Sequence, residues 1–351
     1  MKTLTCILMM SGILPAISAE VVVRNTAELR AALGSIKEGT VLKIAPGEYS
    51  GGHYVKGVAK LTIGALDPAD PPVFKGGSEG WHFTRCENLM LQDLKITGQS
   101  SNGLNLDDGM SDTPVKGVTL ERIHVGDIGP KGNHDGIKIS GLDELTVRDC
   151  KVEGWGGEGI DMVGCHRVLV TGCELRGKDG FGGTSGIQMK GGCSEITVEK
   201  SRFIKAGLRP LNLGGSTGMP YFRPVGAKYE AKDLTVRDNV IEGGLCAAAF
   251  TGVTGATFSG NTILFPEKWI FRILQETTAE GFTTCGENRI TGNRIVFRRS
   301  AVAVDINIGA NTAPATFGFS ANQWFAEDQP EKSKPKLPSA EKEGIYGKDP
   351  R

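Results

Sequence analysis

One short pattern recurs along the chain and limits its fold more than any other feature. It reads Leu145-Thr-Val-Arg-Asp-Cys150, Val168-Leu-Val-Thr-Gly-Cys173, Ile196-Thr-Val-Glu-Lys-Ser201 and Leu234-Thr-Val-Arg-Asp-Asn239, and it continues more loosely over Ala256–Asn261 and Arg289–Asn293. Aligning the last positions gives a column: Leu94, Ile123, Cys150, Cys173, Ser201, Asn239, Asn261, Asn293 and Asn322, in steps of 22 to 38 residues. A minimal unit with insertions of varying length describes a solenoid whose turns carry different loops. Each segment alternates apolar and polar residues, as a strand with one buried face does. Stacked strands place equivalent residues about 4.8 Å apart. At that spacing the asparagines of the column can hydrogen-bond one another and the turn backbone. They are expected to be structural rather than ligand contacts.

A second strand precedes each of these: Asn102-Gly-Leu-Asn-Leu106, Asp135-Gly-Ile-Lys-Ile139, Glu158-Gly-Ile-Asp-Met162, Ser185-Gly-Ile-Gln-Met189 and Arg209-Pro-Leu-Asn-Leu213. Two strands per turn, with room for a shorter third, make an all-β parallel β-helix. Its first edge must be covered, because bare strand edges invite pairing. Asn25 and Glu28 form a capping box, Leu29, Leu33 and Ile36 share one helical face, and Gly39 ends that helix. Thr40 to Tyr49 then enters the first coil. Gly is abundant, 50 of 351 residues, and aromatics make up only 7%, which suits short strands and tight turns.

The ends are read differently. Residues 1–19 have a charged start, an apolar run from Leu4 to Leu14 and small residues through Ala19, the pattern of a signal peptide; a secreted or periplasmic protein follows. The β-helix domain is expected over 20–325, and 326–351, rich in Lys, Glu and Pro, as a flexible polar tail. No later segment is long enough to span a membrane. Formal charge is zero, with 40 basic and 40 acidic residues, so nucleic acid is not an expected partner. Seven cysteines follow residue 19, an odd number that leaves at least one free thiol. They read as small buried hydrophobes in a monomer rather than as a disulfide framework.

In the second strand the residue between the two apolar ones points outward. One outward column is Asn105, Lys138, Asp161, Gln188 and Asn212; the position before Gly gives Asn102, Asp135, Glu158, Ser185 and Arg209. Lys190 and Arg272 lie along the same strip. The longest insertion, between Ser201 and Asn239, carries Gly214 to Gly218 and then Tyr221-Phe-Arg223, and is expected to wall a groove. Aromatic faces stack on sugars and Arg grips carboxylates. Substrate contacts are therefore expected from His134, Lys138, Asp161, Gln188, Asn212, Tyr221, Arg223 and Arg272. Asp135 and Glu158, one coil apart, can act as acid and base, or with Asp161 hold Ca²⁺ through oxygen ligands; the plainer reading pairs them with Lys138. His166 reads as a turn residue.

The capping helix, the leading strand and the Asn-bearing coils resemble the pectate-lyase-like superfamily of right-handed parallel β-helices over residues 20 to 325. Gly186-Ile-Gln-Met-Lys190 is similar to the base-lysine strand of chondroitinase-B and alginate-lyase type enzymes. That likeness implies a polysaccharide lyase, with Lys190 as base, an assisting arginine and a nearby Ca²⁺; Gly214 stands at the arginine position, and Arg209 or Arg223 would take its role. Asn133-His-Asp135 and Gly157-Glu158 resemble the pectin-hydrolase pattern, which implies a polygalacturonase-type hydrolase using Asp135 and Glu158. Here the second coil lacks the double Asp, and Ser185-Gly186 replaces Gly-His-Gly. The two enzymes stand against a third reading, a non-catalytic carbohydrate-binding or surface protein.

Overall fold

The computed structural model describes residues 20–351, so the expected signal peptide lies outside the described residues. The chain winds into three long sheets of 15, 10 and 12 strands in which every coil pairs in parallel with the next. The repeat is the reason. Each short strand buries its alternate residues, and stacking brings these together as one continuous core from Val23 to Ala326. The helix Thr26–Leu33 covers the first coil. The Asn25 side chain accepts from the Glu28 N–H at 2.9 Å, Glu28 accepts in return from the Arg24 N–H at 2.8 Å, and Leu29 is fully buried.

The asparagine column forms as a ladder. Asn239 donates from its amide nitrogen to Asn261 Oδ1 at 3.0 Å, Asn261 to Asn293 at 3.1 Å, and Asn293 to Asn322 at 2.8 Å. Each also donates to a backbone carbonyl one coil back and accepts a backbone N–H, so these buried amides are satisfied. Ser201 continues the column, accepting the Cys173 N–H at 3.1 Å. The seven described cysteines are all buried and free. No helix among the described residues is long and apolar enough to cross a membrane.

The C-terminal segment differs from the expected tail. Glu341–Lys342 and Ile345–Tyr346 pair with the preceding coil and extend two of the sheets. Glu341 fixes them by accepting from Asn322, Trp324 and Tyr346. Residues poor in apolar side chains thus cap the last coil through hydrogen bonds to its ladder.

The ten-stranded sheet positions the candidate site. In register across it, the outward column runs Tyr54, His82, Asn105, Lys138, Asp161, Gln188 and Asn212, then Ala249, Arg272 and Asn307. The column therefore becomes basic again at Arg272, three strands beyond the strand of Gln188 and one before Asn307 ends it.

Candidate active site

Three carboxylates meet where consecutive coils stack. Asp135 begins one coil, and its Oδ1 accepts the Glu158 N–H of the next at 2.9 Å. Glu158 and Asp161 share one strand, and an oxygen of each of the three residues lies within 4.8 Å of the others. All three are buried, with Asp161 at 0% and Asp135 at 1% exposure. Two lysine side chains lie over them. Lys138 Nζ contacts Asp161 Oδ2 and stands 3.2 Å from Asp135 Oδ2; Lys190 Nζ is 3.5 Å from Asp161 Oδ1 and donates to Gln188 Oε1 at 2.8 Å. Burial, then the charges of Asp161 and Asp135, push the Glu158 carboxyl from its ordinary 4.5 up to about 8. Burial alone would lower the Lys138 ammonium, but Asp161 and Asp135 raise it above the usual lysine value.

The cluster thus finds its partners among its own side chains: Lys138 bridges Asp161 and Asp135, Lys190 stands beside Asp161, and Glu158 holds its proton at neutral pH. The donor set and span suit Ca²⁺, and Asp135 Oδ2 and Asp161 Oδ1 lack a hydrogen-bond partner. Lys138 nevertheless stands between Asp135 Oδ2 and Asp161 Oδ2, and Lys190 faces Asp161 Oδ1, so the residues as arranged do not fit a resident Ca²⁺.

Beside this cluster the sheet forms the floor of a cleft of about 770 Å³. It runs along the coil axis from the strand of Tyr54 and Lys56 to that of Lys190. The long insertion walls one side with Ser216, Thr217, Gly218 and Tyr221. Lys138 and Lys190 line the cleft, whereas Asp135, Glu158 and Asp161 do not. Cationic Lys56, His82, Lys138, Lys190 and Arg223 outnumber the lining carboxylates Asp107 and Asp108.

Arg223, expected to grip a substrate carboxylate, is instead held by the protein. It is buried, donates from Nε to Asp108 Oδ2 at 2.9 Å and from Nη1 to the Phe222 carbonyl at 3.0 Å. Gly141 and Gly164, both at positive φ, make room for this pair. An added Cβ would come within 2.2 Å of Asp108 Oδ2 at Gly141 and within 2.4 Å of Arg223 Cβ at Gly164. The pair thereby fastens the insertion to the sheet.

Other expected contacts separate. Asn212 is buried and accepts from Thr251 Oγ1 at 3.0 Å, and Gln188 is buried and orients Lys190; neither lines the cleft. His134 is half-buried, and its neighbour Asn133 lines the cleft in its place. Tyr221 is 55% exposed at the cleft wall. Arg209 and Arg272 lie beyond the cleft. His166 opens the strand His166–Thr171 rather than a turn; half-buried, it bonds through Nδ1 to Ser194 Oγ at 2.8 Å.

The sequence reading missed the opposite end of the cleft. His82 there lies between Glu79 and Asp107, with Nδ1 donating at 3.0 Å and Nε2 at 2.6 Å. The hydrogen bonds to Asp107 and Glu79 lift the imidazole to about 10, so it is charged at neutral pH. Tyr54 meets its ring edge-on at 5.1 Å. A signal was present: Glu79-Gly-Trp-His82-Phe83 has the Gly–apolar–polar–apolar order of the later coils.

The winding, the ladder and the cleft define a right-handed parallel β-helix. The chain belongs to the right-handed β-helix family: the family model described as "right handed beta helix region" matches residues 74–295. No curated protein matches its sequence. Among solved structures it is similar to the alginate lyase of Paenibacillus sp. str. FPU-7, with 20% identity, 84% of this chain and 99% of that one covered, and a TM-score of 0.56. It is similar to the A-module of the Azotobacter vinelandii mannuronan C-5 epimerase AlgE6 at 15% identity, 92% and 91% coverage and TM-score 0.55. The GH136 lacto-N-biosidase of Eubacterium ramulus aligns at 12% identity, 92% and 64% coverage and TM-score 0.57. At such identities the likeness is one of fold.

Proposed function

We propose that this protein is a carbohydrate-active enzyme that cleaves a uronate-containing polysaccharide by β-elimination, with Lys190 as the base. One observation carries the reading: the cleft presents the side-chain nitrogens of Lys138 and Lys190, while the three carboxylates lie buried beyond its surface. A glycosidase needs its two carboxyl groups against the scissile bond, and the two that line the cleft, Asp107 and Asp108, are held by His82 and Arg223; a lyase needs an amine at the C5 proton and a cation at the uronate carboxylate.

In this reading the Lys138 ammonium, fixed by Asp135 and Asp161, pairs with the substrate carboxylate and stabilises the charge that gathers there as C5 loses its proton. The Lys190 nitrogen takes that proton. The C5–H electron pair becomes the C4–C5 double bond, the C4–O4 bond breaks, and the leaving O4 takes a proton from solvent in the open cleft. Gln188 and Asp161 position the Lys190 amine. No step runs through a metal. Neighbours of the same fold include an alginate lyase and a mannuronan epimerase, which supports a uronate polymer as the substrate class.

The test is a panel of uronate and neutral glycans, read both for ultraviolet absorbance and for new reducing ends. A lyase produces both on a uronate polymer; reducing ends without absorbance would transfer the case to a hydrolase using Glu158 and Asp135.

A further inference from the structure

Beyond the cleft, the same sheet face becomes basic again. Arg209 and Arg272 stand two strands apart; Arg272 is in register with Ala249 and Asn212, and Arg209 stands three residues before Asn212 on its own strand. Arg272 lies over the Trp269 ring, 4.6 Å from its centroid, and donates from Nε to Asn307 Oδ1 at 2.9 Å. Its two terminal nitrogens make no hydrogen bond among the described residues, and neither does the Arg209 guanidinium. Arg209 has one opposite charge nearby, Glu276, at 3.6 Å and 37% exposed. Lys268, on the Trp269 ring at 4.6 Å, adds a third cation. Burial and the charge of Arg209 lower the Arg272 guanidinium, the mark of two like charges held together without full compensation.

We propose that Arg209 and Arg272, braced by Trp269, form a subsite for the carboxylate of a second uronate, farther along the polysaccharide than the sugar at Lys190. This rests on the proposed uronate reading and adds the length and charge pattern of the substrate. The cleft runs along the coil axis, and the row of Lys138 on its floor continues through Asp161, Gln188, Asn212 and Ala249 to Arg272. Arg272 stands three strands beyond the strand of Lys190, roughly 14 Å at the usual strand spacing. A disaccharide seated at Lys190 falls short of it; a longer oligomer reaches it. The planar guanidinium forks suit bidentate carboxylate binding, and Glu276 fills the place of that carboxylate until the substrate arrives.

Binding is measured in the Lys190→Ala background, so that substrate survives, by the fluorescence of Trp269. The tryptophans Trp81, Trp155 and Trp324 are fully buried. Uronate di- and hexasaccharides and a neutral hexasaccharide are the probes. The proposal expects the uronate hexasaccharide to bind more tightly than the disaccharide and the neutral one to bind weakly. Replacing Arg209 and Arg272 by Gln should remove most of the hexasaccharide advantage, about tenfold for a lost charge-assisted contact. Glu276→Gln should raise hexasaccharide affinity by freeing Arg209, a gain that misfolding cannot imitate. Equal affinities in the parent and the double variant would overturn the subsite and leave the lyase reading standing. Arginine-dependent binding without any unsaturated product from the wild type would support the subsite and reject the lyase.

Discussion

Lys138 and Asp161 show how far a residue's role depends on what stacks against it. Each could be placed on the outward column from the strand pattern, and pairing Lys138 with the acidic coil was already among the sequence readings. That the lysine would cover the carboxylates, leaving ammonium rather than carboxylate at the cleft, depends on side-chain reach across coils, which periodicity does not encode. Arg223 is the sharper case, because its partner Asp108 is 115 residues away. Removing its guanidinium leaves that buried carboxylate unpaired. Arg223→Ala is expected to destabilise by about 3–5 kcal/mol, measured by denaturant unfolding; a loss below about 1 kcal/mol would mean the pair does not fasten the insertion. Glu158 makes stability depend on pH. Its carboxyl titrates near 8 in the fold against an ordinary 4.5, so between those values the folded chain holds a proton that the unfolded chain has released. Stability therefore falls as pH rises through that window, and Glu158→Gln should flatten the fall in urea midpoints across it. His82, raised from 6.5 to about 10, adds a further decline above neutrality that His82→Gln should remove.

Among elements, the ladder was the most legible, because Asn at the end of an apolar–polar alternation has few places to go but an inward bend. Asn261 donates to Val236 O and Asn293 Oδ1 and accepts from Asn239. Asn261→Leu fits the volume but leaves the neighbouring donors unpaired, and should cost about 1–3 kcal/mol by thermal or urea unfolding. An unchanged midpoint would show that the ladder contributes nothing net. The strand around His82 followed the same rule as its neighbours, but two aromatic residues flanking it concealed the register. The C-terminal strands were not legible for a different reason. They are two residues long, and their order comes from Glu341 bonding the last coil rather than from an apolar pattern.

At the scale of the molecule, the coil delivers one polar face whose composition changes along the axis: charged His82 at one end, the lysine pair over buried carboxylates in the middle, and the two arginines at the far end. The fold was readable from the repeat because every coil obeys one register. The reaction was less so, since the same face serves lyases, hydrolases and binding proteins, and the choice depends on which groups reach the cleft. With Lys138 in the space a divalent ion would need, cleavage should persist at full rate in a strong chelator, as a rate assay with and without it would show; loss of activity restored by added Ca²⁺ would mean that Lys138 moves aside for the ion. The most direct test of the central claim is the mass of the products from a uronate polymer, compared between the wild type and Lys190→Ala. A lyase with Lys190 as its base leaves a new non-reducing end lighter by one water than a hydrolytic end, absent in Lys190→Ala. Saturated ends that carry the added water, formed as readily by Lys190→Ala, would contradict it.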